Sequence, residues 1–374
     1  MMATVSGYKT KAGQRYKVRY MKPDGTQGSK AGFPSKPAAE GWAAKLEVRK
    51  IEGDFIDPRY GKLTVGSFAE GWLALKKKKL KPSAYTPLES AWRIHVEPEW
   101  GTTALGKIEI SAIEDWVSVM MTEIRDVDDP DVILKPASGA TTVIRAHSVL
   151  SGVLDRAVRD GKLATNKARE VENLPKKKAK RKIYLTHEKV ALMAENSGRW
   201  ATLILLLAYG GLRWGEAVGL TVDDLDLLRR RVRIRRNAVQ VGAEFAVGSP
   251  KSNKDRSVPI PRFLIDDLSA MCVGKARTAL VFPGPDGTHL RRPNSQRGWF
   301  IAAARKIGEP DLTPHDLRHT AASLAVSAGA NVKAIQRMLG HESAALTLDV
   351  YAELFDDDLD SVADALDRAR TAAV

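Results

Sequence analysis

A histidine and an arginine three positions apart form the first pattern that could carry chemistry. In the stretch TPHDLRHT, Pro314 is typical of a helix start, so His315 and Arg318 are predicted to lie on one face of that helix. A guanidinium binds the oxygens of an anion, and an imidazole exchanges a proton near neutral pH. The pair suits a site that grips an oxyanion and manages a proton, although such a pair taken alone is more often structural.

A second pattern is a glycine pair followed by an arginine, in AYGGLRWGEAVGL at residues 208–220. Glycines permit a tight turn, so the side chain of Arg213 can leave a buried helix at a fixed angle. Glu216 follows three residues later, within reach to brace Arg213 or a neighbour. Taken alone, the stretch equally describes a helix junction with a surface ion pair.

Three further candidates stand at separate positions. Lys251 lies in SPKSNKDR, on a predicted hairpin tip, with Lys254 as its rival. His341 follows in LGHE, and Tyr351 comes ten residues later. Singly, a hairpin lysine is typical of solvated surface and a tyrosine in an amphipathic segment is typical of packing. The interpretation rests on the ordered set Arg213, Lys251, His315, Arg318, His341 and Tyr351.

This ordered set resembles the tyrosine recombinases, specifically the phage integrases of the lambda type. Residues 312–354 are similar to that family's second conserved box almost throughout, and residues 208–220 are similar to its first. Trp214 is a departure, because the family usually has a smaller or aliphatic residue there, but no catalytic role depends on it. The Ala- and Arg-rich composition further suggests similarity to integrases of actinobacterial phages.

The resemblance implies a DNA strand exchange that needs no metal, no ATP and no other cofactor. Tyr351 would attack the scissile phosphate and form a 3′-phosphotyrosyl link that keeps the phosphoester energy. Since a phenol has a pKa near ~10, Tyr351 needs a base, and His315 is the candidate. Lys251, which matches the family pattern better than Lys254, would protonate the leaving 5′-oxygen.

The same resemblance assigns the remaining residues to the phosphate. Arg213 and Arg318 would bind the nonbridging oxygens, where negative charge gathers in the transition state. His341 would donate a hydrogen bond to the phosphate, and Glu216 would support the site from behind.

Composition bounds the class of protein. The chain has 374 residues, 44% hydrophobic and 28% charged, which is typical of two or three globular domains. The formal charge of +14 favours a polyanionic partner. Cys272 is the only cysteine, so no intrachain disulfide and no cysteine-based zinc site can form.

Residues 1–11 lack the apolar region of a secretory signal, and residues 200–212 are too few to span a bilayer. We expect a cytoplasmic, nucleoid-associated protein of a bacterial host that does not enter membranes.

The predicted fold is multidomain α+β. A small β-sheet plus one helix in residues 1–60 resembles an arm-type DNA-binding domain. An all-α segment, residues 62–174, loosely resembles the SAM-like core-binding domain. A basic linker covers residues 175–182, and a mixed, mainly α catalytic domain of the tyrosine recombinase type covers residues 183–374.

Basic residues mark the predicted DNA contacts. Residues 1–60 hold 12 Lys or Arg against 6 Asp or Glu, and the linker adds a run of cations that suits a chain wrapping a phosphate backbone. A third run alternates around Val232 and Ile234, which predicts a half-buried strand with a basic outer face. The predicted DNA-binding residues are Lys17, Arg19, Lys176, Lys177, Lys178, Lys180 and Arg181.

The segment after His341 is acidic, with 9 Asp or Glu against 2 Lys or Arg. It carries an apolar helical stripe formed by Phe355, Leu359, Val362 and Leu366. The stripe either packs on its own domain or docks on a neighbouring protomer as an oligomerisation tail of a homotetramer on DNA.

Function is predicted as integration: joining phage and bacterial attachment sites through a Holliday junction, and excision with a directionality factor. Bridging distant core-type and arm-type sites on double-stranded DNA implies a host DNA-bending protein and an excisionase. An integrase of a genomic island or conjugative element has the same features. A dimer-resolving recombinase or a topoisomerase IB-like enzyme shares the catalytic block, but the resolvases lack residues 1–60. A non-catalytic architectural protein is the alternative outside enzymes.

Overall fold

The computed structural model describes residues 3–22, 25–51, 57–177, 181–249, 255–343, 345, 348 and 366–371. The chain forms two compact units, Met1–Lys178 and Ala179–Val374. The boundary between them falls within the predicted linker, residues 175–182.

The first unit begins with a three-stranded antiparallel sheet, as predicted for this region. Its elements are β1 (Thr4–Thr10), β2 (Gly13–Met21), β3 (Gln27–Phe33) and α1 (Lys36–Ile51), with strand order β1–β2–β3. Val18 and Tyr20 of β2 are buried against Leu46 of α1, because alternate residues of a strand point to one face. Lys17 and Arg19 therefore lie on the opposite face.

Helices dominate the rest of the first unit. They are α2 (Val65–Lys79), α3 (Pro82–Ala91), α4 (Glu97–Trp100), α5 (Ile110–Met121) and α6 (Ala140–Arg159), with a π-helical stretch at Trp92–Val96 and 3₁₀ turns at Pro58–Lys62, Leu105–Lys107 and Lys167–Glu170. The central helix is α6, whose inward face, including Val143, Leu150 and Leu154, is fully buried. This segment was predicted to be all-α, but two short paired strands, β4 (Ile124–Arg125) and β5 (Ile133–Lys135), lie between α5 and α6.

The second unit is mixed, as predicted. Its helices are α7 (His187–Glu195), α8 (Ala201–Gly210), α9 (Trp214–Val218), α10 (Ile265–Ala270), α11 (Trp299–Lys306), α12 (Pro314–Ser327) and α13 (Val332–Leu339). Its strands are β6 (Leu225–Asp226), β7 (Arg231–Ile234), β8 (Asn237–Val241), β9 (Glu244–Gly248) and β10 (Arg256–Pro259), and short 3₁₀ turns lie at Gly198–Trp200, Val222–Asp224 and Arg262–Leu264. The apolar helix α8 lies at the centre of this unit's core and packs against α12 and α7. Among the described residues, no helix combines the length and the apolar character needed to cross a membrane.

The predicted Arg-rich strand is β7, the middle strand of the order β10–β7–β6. Val232 and Ile234 are buried and Arg233 is exposed, as the alternation predicts. Arg235, just beyond the strand, donates hydrogen bonds to Asp223 and to the buried Asp224, so part of this run is neutralised within the protein.

Of the predicted tail stripe, only Leu366 lies within the described residues. It belongs to a helical stretch at residues 366–371, and its side chain is exposed. Phe355, Leu359 and Val362 lie outside the described residues.

Candidate active site

Arg318 is a deeply buried arginine of the site, only 2% exposed. It lies on α12, which begins after Thr313 with Pro314 in its first turn. Its Nη1 donates to the carbonyl of Gly211 at 2.6 Å, and its Nη2 donates to the carbonyl of Leu339 at 2.6 Å. These two carbonyls orient the guanidinium, because both hydrogen bonds come from one planar group.

The two carbonyl partners belong to tight helix ends. Gly211 ends α8 in the left-handed conformation with φ of 65°, and Gly340 ends α13 with φ of 67°. A Cβ on Gly211 would lie 2.7 Å from Cδ2 of Leu339, so the first helix end needs glycine for space as well as conformation. The predicted glycine turn before Arg213 is confirmed.

Arg213 follows this turn and caps α9. The carboxylate of Glu216 accepts from the backbone N–H of Arg213 at 2.8 Å and from its Nη1 at 2.8 Å. The side chain of Arg213 remains 25% exposed. Glu216 therefore orients a guanidinium that still reaches solvent, as the sequence suggested.

Arg256, at the start of β10, was missed in the sequence and completes this group. Its Nη1 and Nη2 donate to the two carboxylate oxygens of Glu216 at 2.9 and 2.6 Å, and its Nε donates to the carbonyl of Met338 at 3.1 Å. Burial alone would raise the pKa of Glu216, but hydrogen bonds and charge from Arg256, with the charge of Arg213, lower it to about 2. The carboxylate is thus ionised at every physiological pH.

The periodicity of the strand could have identified Arg256 as an inward-facing residue. Val258 and Ile260 are buried, and Arg256 has the same parity, so a strand through these residues turns all three inward. An arginine on the buried face of a strand requires an internal anion, and Glu216 supplies it.

His315 lies on the first turn of α12, with its residue surface open to solvent. Although the residue is exposed, neighbouring groups partly shield its imidazole from water. This desolvation is the first cause that lowers the pKa of His315, and the positive charge of Arg318 is the second. Its ring meets that of His319 edge-on, with centroids 4.8 Å apart. Burial and the neighbouring His315 lower the pKa of His319 to about 4.

His341 follows the helix end at Gly340 and is half-buried. Burial, and then the charges of Arg318, Arg213 and Arg256, lower its pKa to about 4. Its backbone is held on both sides by Gln336: its N–H donates to the carbonyl of that residue, and its carbonyl accepts from Nε2. At neutral pH this imidazole is uncharged and able to donate one hydrogen bond.

The structure brings Arg213, Glu216, His315, Arg318 and His341 together, from three separate stretches of sequence. Permanent positive charge beside neutral imidazoles is suited to binding and stabilising a phosphate dianion-like transition state. Lys251, its rival Lys254 and Tyr351 lie outside the described residues. Among those described, no three His, Cys, Asp or Glu side chains are grouped as a metal site.

Sequence profiles identify the family. The profile described as "Phage integrase family" matches residues 176–357, and that of the "Phage integrase, N-terminal SAM-like domain" matches residues 64–121. A prophage phiRv2 integrase of Mycobacterium tuberculosis is 28% identical over 89% of this chain and 88% of its own length. The tyrosine recombinase XerC of Mycobacterium bovis is 30% identical over 55% of this chain and 70% of its own length.

The chain belongs to the tyrosine recombinase family. It is a site-specific recombinase of the phage integrase type, an enzyme that breaks and rejoins DNA strands. The fold agrees, as solved structures show. Tn1549 transposon integrase in complex with a circular intermediate DNA matches with a TM-score of 0.63 at 19% identity over 82% of this chain and 99% of that one. A lambda integrase tetramer bound to a Holliday junction matches with a TM-score of 0.53 at 16% identity over 90% and 96%.

The predicted DNA-binding residues of this recombinase lie on its surface where described. Arg19 is exposed and Lys17 is partly exposed on the outer face of β2. Lys176, Lys177 and Arg181 are exposed, whereas Lys178 and Lys180 lie outside the described residues.

Proposed function

We propose that this recombinase is a phage integrase that joins a phage attachment site to a bacterial one, and that Arg213, Lys251, His315, Arg318, His341 and Tyr351 are its catalytic residues. The observation that carries the proposal is the convergence of two arginines and two low-pKa histidines on one site. A phosphodiester passing through a pentavalent transition state needs that combination of fixed charge and neutral imidazole.

The proposed cleavage step is a phosphoryl transfer that balances without a cofactor. The Tyr351 hydroxyl oxygen bonds to the scissile phosphorus while the bond from phosphorus to the 5′-oxygen breaks. His315, kept neutral by its lowered pKa, accepts the phenolic proton, and Lys251 donates a proton to the departing 5′-oxygen. A 5′-hydroxyl from the partner DNA then reverses these steps and releases Tyr351.

The proposed substrate is double-stranded DNA with separate core-type and arm-type sites. Residues 62–174 and 183–374 would clamp the core site, residues 175–182 would link them along the backbone, and residues 1–60 would bind the arm site. In the lambda integrase structure, a tetramer is bound to a Holliday junction, and we propose the same homotetramer here, with a host DNA-bending protein and an excisionase as partners. We place the reaction at the nucleoid of a bacterial host.

A dimer-resolving recombinase is the second candidate. The XerC relative supports it, but that alignment spans only 55% of this chain. The phage-type relative aligns with 89% of the chain, which favours integration. Integration from a genomic island or conjugative element would use the same chemistry.

Covalent trapping tests the proposal. Wild-type protein and Tyr351→Phe are incubated with labelled DNA flanking the gene, nicked so that the released 5′ fragment diffuses away. We expect a protease-sensitive, denaturation-resistant adduct with the wild type and with the control Tyr85→Phe, and none with Tyr351→Phe. An adduct with Tyr351→Phe would disprove the nucleophile. DNA binding without an adduct, even with a partner site and a bending protein present, would favour an architectural protein.

A further inference from the structure

Arg256 contacts two of the three stretches that form the site. Two of its nitrogens bind both oxygens of Glu216, and Nε binds the carbonyl of Met338, three residues before His341. Its side chain is only 8% exposed. A Cβ on Gly340 would lie 2.8 Å from Cδ of Arg256, so the turn before His341 packs directly on its aliphatic stem.

The charge balance of the group depends on this residue. Glu216 is fully buried, and its carboxylate accepts from Arg213 and Arg256 together. Two guanidiniums share one carboxylate, which leaves one net positive charge at the exposed end of Arg213. Without Arg256, Glu216 and Arg213 would form a neutral pair, and the carboxylate would hold the guanidinium back from a phosphate.

We propose that Arg256 is a positioning residue of strand cleavage: by sharing Glu216, it keeps Arg213 oriented and net positive toward the scissile phosphate, and by holding the Met338 carbonyl it sets the turn that carries His341. This role rests on the proposed function, and it acts through Arg213 and His341 rather than by contact with the DNA.

Lysine cannot take over this role. Three nitrogens of one planar guanidinium donate at once to both oxygens of Glu216 and to the carbonyl of Met338, whereas a lysine ammonium is a single point donor on a flexible stem. Arg256→Lys keeps the charge and loses the geometry. Arg256→Gln loses both.

The test measures single-turnover cleavage of nicked core-site DNA by wild type, Arg256→Lys and Arg256→Gln, with the exposed Arg262→Gln as control. We expect Arg256→Gln to cleave on the order of 10²-fold more slowly and Arg256→Lys on the order of 10-fold more slowly, because misplaced charged groups cost about this much. Arg262→Gln should match the wild type, and core-site affinity should change less than about 3-fold in all variants. Wild-type cleavage by either 256 variant would overturn the inference.

Two modified substrates separate positioning from mere folding. A methylphosphonate at the scissile position removes one anionic oxygen, so the defect of Arg256→Gln should shrink at least about 10-fold there. A sulfur in place of the bridging 5′-oxygen leaves without a proton, so the defect should persist on that substrate. Equal defects on all substrates, or rescue by the bridging sulfur, would contradict the proposal.

A double variant guards against simple unfolding. Arg256→Gln leaves Glu216 with one partner and destabilises the fold, whereas Glu216→Gln/Arg256→Gln leaves no buried charge unpaired. We expect the double variant to unfold at nearly the wild-type temperature and still to cleave more slowly than the wild type, because Arg213 regains a net positive charge but loses the carboxylate that orients it. Fast cleavage by the stable double variant would overturn the inference. Absence of any adduct with the wild type would instead refute the proposed function itself.

Discussion

Two regions of this recombinase carry charged side chains in opposite settings. In the candidate active site, Arg318 and Glu216 are almost fully buried, and each makes at least two hydrogen bonds within the protein. On β2 of the N-terminal sheet, Lys17 and Arg19 face outward, and neither forms an ion pair within the described part of the chain. Arginine is thus held in one orientation in the first region and is surrounded by solvent in the second.

This contrast separates two ways of binding a polyanion. In a buried cluster, hydrogen bonds within the protein fix the orientation of each charged group, so the cluster suits one phosphate in one geometry. A solvated face offers mobile charge whose affinity comes from displaced counterions and falls steeply with salt. Catalysis needs the first kind, and holding a long stretch of DNA needs only the second.

The largest expected effect on cleavage comes from substituting Arg318, in the buried cluster. Arg318→Lys keeps a positive charge but cannot donate to the carbonyls of Gly211 and Leu339 as one rigid plane. We expect cleavage to fall on the order of 10³-fold, as when a preorganised transition-state donor is lost. Single-turnover cleavage with saturating DNA measures this.

The matched control for that change is Arg305→Lys, on the exposed face of α11 in the same unit. It should leave cleavage unchanged within about 2-fold, since exposed substitutions rarely matter. Cleavage by Arg318→Lys within 10-fold of the control would show that charge alone suffices, and the contrast drawn above would fail.

An intermediate effect is expected from the acid titration of Glu216. Its pKa is lowered from 4.5 to about 2 by the arginines, so its contribution to stability is complete above pH 4.5 and is lost as the pH falls toward 2. A difference of this size corresponds to roughly 3 kcal/mol in the free energy of unfolding. Glu216→Gln lacks this titration, so its urea unfolding should depend less on pH between 4.5 and 3 than that of the wild type.

Because histidines also titrate in this pH range, the Glu216→Gln variant must be compared with the wild type. His319 and His341 have pKa values lowered to about 4, so they weaken the fold as the pH falls from 6.5 toward 4 in both proteins. Glu216 contributes to the slope only below about pH 4.5, where Asp57 and Asp223, whose pKa values are also lowered, titrate in both proteins. The difference between the two curves, rather than the slope of either one, therefore reports on Glu216. Parallel curves for the two proteins in that range would show that the arginines do not stabilise the carboxylate.

The smallest effect is expected on the solvated face. Lys17→Gln and Arg19→Gln should each reduce arm-site affinity only several-fold and lower the slope of log affinity against log salt by about 1. Cleavage of a core-only substrate should not change. Lys36→Gln is the control, because that lysine on α1 pairs with Glu40. An unchanged salt slope for both variants would show that the outer face of β2 does not bind the arm site.

Much of the architecture was predictable because periodicity records burial. The sheet around Val18 and Tyr20, the buried helix α8 and the alternation at Val232 and Ile234 all follow from apolar spacing. The pair of strands β4 and β5 was not predicted. Their five residues are all exposed, and strands of two and three residues are too short for an alternation of buried and exposed side chains to mark them.

Within the site, the motifs located Arg213, His315, Arg318 and His341, and the structure brings them together. Arg256 escaped because its partners, Glu216 and Met338, are 40 and 82 positions away. A local pattern can show that a strand arginine points inward, but only the tertiary structure shows which anion it meets. Lys251 and Tyr351 stay predictions of the sequence.

The two carbonyls bound by Arg318 have a consequence for the order in which the enzyme is completed. One belongs to Gly211, 107 positions earlier, and the other to Leu339, 21 positions later. Both contacts are non-local, so the guanidinium is oriented only after the chain segments on either side of it have come together. A nascent or partly folded chain therefore has no assembled phosphate site, and competence to cut DNA arrives together with the finished fold.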